Sequence, residues 1–154
     1  MKIWMSLSFL FYSLVSFSQN SNAIRAGQLN LDDGVAIKGY DPVAYFIQNK
    51  AVKGKKEFSF VSQGAVFYFA NAADRQAFVS SPAKYEPQYG GWCAYAMGHD
   101  GSKVEVDPET FKIINGKLFL FYNRFFNNTL KTWNQDETKL HAQADANWEK
   151  ILRQ

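Results

Sequence analysis

A chain of 154 residues carrying 17 Lys and Arg against 14 Asp and Glu has a formal net charge of +3, too weak a basic balance to point to nucleic acid. Hydrophobic residues at 47% and aromatic residues at 17% are enough for a packed core. A single cysteine excludes an internal disulfide framework, so packing has to hold the fold.

Met1-Lys2 is a short positive start, Ile3 to Val15 is almost wholly apolar, and Ser16-Phe17-Ser18 places small residues where a signal peptidase reads. Residues 1–18 therefore read as a secretory signal peptide, cleaved before Gln19, and the mature chain is expected in the periplasm or outside the cell. Its removal takes away one lysine and leaves a net charge of about +2. No later stretch approaches the roughly 20 apolar residues of a transmembrane segment. Residues 19–30 are small, polar and without period, and read as a flexible leader. Residues 31–152 show no linker and no repeat, and read as one domain.

Asp41-Pro42 pairs an acceptor side chain with a proline, a combination that opens a short helix, here expected to end by Asn49. The lysines at 50, 53, 55 and 56 follow as a basic loop, read as a solvated face. Phe58-Ser59-Phe60, a turn at Ser62-Gln63-Gly64, and Ala65 to Phe69 make a hairpin. Asn71 caps a second helix with Asp74 in its first turn and Phe78 facing inward. After a glycine-rich loop, Phe111 to Tyr122 forms a second hairpin around Asn115-Gly116, since Asn-Gly accepts the positive φ values of a type I′ turn. Phe126, Leu130 and Trp133, then Leu140, Ala144, Trp148 and Ile151, recur at helical spacing and predict two closing helices. The order predicts an α+β fold: a small antiparallel sheet with two hairpins, short helices and a C-terminal helical segment.

The soft and titratable side chains gather in Tyr89 to Gly101, which holds Cys93, Met97 and His99. Two readings stand. In one, the loop is a metal or redox site: Cys93 supplies a thiolate and His99 an imidazole, a pair whose chemistry suits copper or zinc, with Trp92 and Tyr95 lining an aromatic cleft for a small ligand. In the other, Cys93 is a small hydrophobe packed where glycines bring backbones close. His141 lies beside the apolar stripe of the last helix, and Asn127-Asn128-Thr129 falls at a helix start. The chain has no phosphate-cradling glycine motif, no nucleophile elbow and no His-x-x-x-His spacing.

Gly39-Tyr40-Asp41-Pro42-Val43-Ala44-Tyr45-Phe46, Pro82-Ala83-Lys84-Tyr85, Gln88-Tyr89-Gly90-Gly91-Trp92-Cys93-Ala94-Tyr95, Asp107-Pro108-Glu109, Asn115-Gly116-Lys117-Leu118-Phe119-Leu120 and Ala144-Asp145-Ala146-Asn147-Trp148 resemble the secreted bacterial YHS domain proteins, in the same order and over about residues 31–152. The resemblance implies a module of heavy-metal handling, which in other YHS domains uses a cysteine after Asp-Pro-Val and another after a Tyr-Phe pair. Here those positions hold Ala44 and Ala70, while Cys93 belongs to the motif of the secreted branch. The first functional expectation is a non-enzymatic secreted module that binds a transition metal or small ligand near Cys93 and His99. The alternatives are a thiol-dependent or redox enzyme using Cys93, and a structural or interaction protein with no small-molecule site.

Overall fold

The computed structural model describes residues 27–154, so the signal segment and most of the leader lie outside the described residues. The architecture is mixed α+β. Strands β1 (Leu31–Asp32), β2 (Val35–Ala36), β3 (Lys55–Ser62) and β4 (Ala65–Phe69) form one sheet in the order β1-β2-β4-β3. The expected hairpin is β3–β4, antiparallel from Ser62↔Ala65 around Gln63-Gly64. The sheet is not wholly antiparallel: β2 runs parallel to β4 through Val35↔Val66. Two-residue strands carry too little periodicity to be read from sequence, although Asp33-Gly34, which joins β1 to β2, is a turn signal of the same kind as Asn115-Gly116.

Helix α1 (Ala44–Ile47) is short, and α2 (Ala72–Ser80) opens at Asn71, whose side chain accepts from the Asp74 N–H at 2.9 Å, as its sequence predicts. A single turn, α3 (Pro82–Tyr85), leads into a 3-10 turn at Gln88–Gly91. Part of the stretch expected as a glycine-rich loop is then a helix, α4 (Ala94–His99), in which Ala94, Ala96, Met97 and Gly98 are buried. Glycines suggested a loop, but Gly90 and Gly91 are confined to the turn before the helix, at φ +62° and +85°, and Gly98 serves close packing. The second expected hairpin is β5 (Asp107–Ile114) with β6 (Lys117–Phe121), turning at Asn115-Gly116. A further hairpin that the sequence did not suggest, β7 (Asn123–Arg124) with β8 (Asn127–Asn128), turns at Phe125-Phe126, so Phe126 is not on a helix stripe as its spacing suggested. Helices α5 (Thr129–Trp133) and α6 (Glu137–Leu152) close the chain.

Strand β6 explains where the core sits. Leu118 and Leu120 point into a cluster with Tyr45, Phe67, Phe78 and Val106, while Phe119 and Phe121 point into another with Met97, Trp133, Leu140 and Ala144. Alternate side chains leave a strand on opposite faces, so its unbroken apolar run reflects burial on both. The folded part also reaches back before Leu31. Asn30 is buried and donates its backbone N–H to the Gly90 carbonyl (2.9 Å) and its side-chain amide to that of Gly91 (3.1 Å), so the end of the expected leader is packed.

Candidate functional site

The region around Cys93 is built by the turn that precedes it. Tyr89 lies at φ +54° and Gly90 at +62°, and a Cβ built on Gly90 would come within 2.8 Å of the Trp148 ring, so this crossing admits only glycine. Tyr89 donates its hydroxyl to Asp145 on α6 at 2.9 Å, and burial followed by that carboxylate pushes its pKa well above the usual tyrosine range. Trp92 turns away to the N-terminal segment, its Nε1–H donating to the Gln28 carbonyl at 2.7 Å while the Lys103 ammonium lies 5.8 Å from its ring centroid. Trp92 therefore holds the start of the fold and does not share a cleft with Tyr95.

Cys93 is fully buried and precedes the first turn of α4. Its Sγ accepts the Tyr122 backbone N–H at 3.3 Å and lies 3.4 Å from Thr129 Oγ1. The Thr129 hydroxyl already donates to the Tyr122 carbonyl at 2.9 Å, so in the contact with Cys93 the thiol is the donor. Both hydrogen-bonding capacities of the sulfur are thus used inside the protein, tying α4 to the end of β6 and the start of α5.

Beside the thiol lies a cleft of about 310 Å³ lined by Cys93, Tyr95, His99, Asp100, Ser102 and Thr129, with Tyr122 and Asn127 on the hairpin side. It brings together three of the four residues singled out from sequence, leaving out Trp92. His99 is exposed at the end of α4, and its ring stacks on Tyr95 at 5.5 Å between centroids and 12° between planes, the i, i+4 spacing that places both on one helix face. Asp100 accepts the Ser102 N–H at 2.9 Å, and hydrogen bonds from Ser102 hold its carboxyl below the usual range. The rim is aromatic and polar, and the floor is Cys93, Ala96 and Val104.

Among the described residues no three His, Cys, Asp or Glu side chains come together to hold a metal ion. Cys93 and His99 remain a pair, short of the usual three or four protein ligands of a zinc site, and the thiol is engaged elsewhere. His141 does not join them: it sits on α6 against Phe119 (5.0 Å) and Trp133 (6.0 Å), 3.8 Å from Asp145. The donor set does not fit a resident copper or zinc ion.

Two features carried little signal in the sequence. Asp41, read as a helix-opening acceptor, is fully buried and joins the start of α1 to the end of β4 and to Asp74. A second cavity of about 140 Å³ includes Leu29, Ile37, Phe67, Glu86, Tyr89 and Trp148 in its lining, drawn from segments far apart in the chain. No described helix is long and apolar enough to cross a membrane. No protein-family model, no curated protein and no solved structure matches the chain.

Proposed function

We propose that this chain is a secreted, non-enzymatic module of the YHS type that binds a small, planar, hydrogen-bonding molecule in the cleft between α4 and the β7–β8 hairpin. The carrying observation is the stacked Tyr95–His99 pair at a cleft rimmed by Asp100, Ser102 and Asn127, which offers an aromatic face beside hydrogen-bonding groups. Cys93 is the floor of this site, holding α4 in place. Secretion rests on the apolar run from Ile3 to Val15. The YHS reading gains support from the way its motifs meet in space: Tyr45 donates to the Pro108 carbonyl at 2.8 Å, Tyr89 to Asp145, and Gly90 lies under Trp148. Motifs far apart in sequence but mutually bonded are what a shared fold needs.

The test is a titration of the native protein with small heteroaromatic acids and amines, following the ring resonances of Tyr95 and His99. Shifts confined to the cleft, with affinity falling at least tenfold in His99→Ala, are the expected outcome. Zinc or copper(I) uptake that requires both Cys93 and His99 would move the site to a metal. Rapid modification of Cys93 by iodoacetamide in the native state, where a packed thiol should react only after unfolding, would favour a thiol-dependent enzyme.

A further inference from the structure

Among the described residues, four two-residue hairpin turns share one geometry, with both central residues at positive φ; the other consecutive residues at positive φ, Ile37-Lys38-Gly39 and Tyr89-Gly90-Gly91, lie in 3-10 turns where Ile37 and Tyr89 are buried. Three use a residue followed by glycine: Asp33-Gly34 (50° and 81°), Gln63-Gly64 (50° and 84°) and Asn115-Gly116 (50° and 71°). The fourth, joining β7 to β8, uses Phe125-Phe126 at 52° and 62°. A bulky side chain in this region costs backbone energy that glycine avoids, so a turn selected for stability alone would not hold two aromatics. Nor does packing compensate for it: Phe125 is 88% and Phe126 111% exposed. Strain and exposed apolar surface at one point are the marks of a site kept for contact with something else.

The segment that carries the tip is basic. From Thr110 to Gln135 it carries Lys112, which pairs with Glu137, and Lys117, Arg124 and Lys131, and no carboxylate; the carboxylates brought near the hairpin are Asp107, which accepts from Thr110 behind Asn123, and Asp100 across the cleft from Asn127. Arg124, next to the pair, and Lys131, on α5, are exposed and form no ion pair with another described residue. A convex pair of rings flanked by cations has no groove of its own for a peptide. It suits a deformable phase that accepts aromatic rings at its boundary and presents negative headgroups. We infer that the β7–β8 hairpin is a membrane-surface anchor: Phe125 and Phe126 enter the interfacial layer of an anionic lipid bilayer, and Arg124 and Lys131 meet its headgroups. The hairpin also supplies Asn127 to the cleft, so anchoring would hold the cleft near the lipid surface.

Co-sedimentation of the purified chain with phosphatidylcholine vesicles, with and without phosphatidylglycerol, tests this. The chain should bind the anionic vesicles, with affinity falling as salt rises, and bind pure phosphatidylcholine at least tenfold more weakly. The double variant F125N/F126G replaces the pair with the residues this turn prefers, so it should melt no lower than the parent while losing at least tenfold in vesicle affinity. R124Q/K131Q should keep the fold and lose the salt dependence. Absence of binding to anionic vesicles at low salt, or undiminished binding by F125N/F126G, overturns the anchor. So does self-association of the parent that F125N/F126G abolishes without any vesicle binding, which would assign the tip to a second copy.

Discussion

Asp41 shows how much one buried carboxylate can be asked to do. Its Oδ1 accepts the N–H groups of Val43 (2.8 Å) and Ala44 (3.4 Å), and its Oδ2 accepts that of Ala70 (2.8 Å). Burial, with Asp74 as a hydrogen-bonding and like-charged neighbour, raises its pKa from the model-peptide 3.8 to about 6. The folded state therefore binds a proton more tightly than the unfolded chain between about pH 4 and 6, and the slope of unfolding free energy against pH is negative there. The contribution from this group is full below the unfolded pKa and is lost as pH rises through 6, a change on the order of 3 kcal/mol. Asp74→Asn removes the like charge and offers a donor to Asp41. Denaturant unfolding of this variant at a series of pH values should show a flatter slope between pH 4 and 6 and a gain on the order of 1 kcal/mol at pH 7. An unchanged slope would mean that Asp74 does not contribute to raising the Asp41 pKa. The local half of this arrangement was legible in the sequence, because Asp-Pro before an apolar run is a helix-opening signal. The links to Ala70 and Asp74, about thirty residues away, depend on tertiary placement that no local pattern encodes.

Among the elements, the legible ones carry their own turn or cap chemistry. Asn115-Gly116 and Asn71 are examples, each fixing its neighbours through backbone geometry alone. Phe125-Phe126 was misread because it makes the same turn with residues that argue against one. Helix α4 was hidden for a different reason: Gly98, which suggests a loop, is there because α4 and α6 touch at the backbone. A Cβ on Gly98 would stand 2.4 Å from the Leu140 carbonyl oxygen and 3.1 Å from its carbon, neither of which can rotate away. Gly98→Ala should force the helices apart and cost about 2–3 kcal/mol in chemical denaturation. Gly116→Ala, where nothing lies within 4 Å of the added atom, should cost only the strain of φ +71°, about 1 kcal/mol. Equal losses at the two sites would mean that α4 and α6 are not in backbone contact. The candidate site was legible to the same degree. Tyr95 and His99 share a face because they are four apart on a helix, whereas Trp92 precedes that helix and follows the turn in another direction.

At the scale of the molecule, two cores lie on opposite faces of β6, and the second is closed by the last helix. Leu140 and Ala144 cover Met97, Ala94 and Trp133, while Asp145 and Trp148 fasten the turn at Tyr89 and Gly90. A chain ending at Asp136 would leave these groups uncovered. It should show no cooperative thermal transition and should bind a hydrophobic dye strongly; a sharp transition would mean that the first core folds unaided. The Gly90 turn also gives the fold an order in time. Leu29 and Trp148 both come against that glycine, one from near each end of the described chain, with 3.2 Å and 2.8 Å to the position its Cβ would take. A ribosome releases the first of these partners long before the second, so the growing chain cannot make this closure until Trp148 has emerged. Until then the turn holds only one of its two flanking partners, and the closure is completed by the tail of the chain.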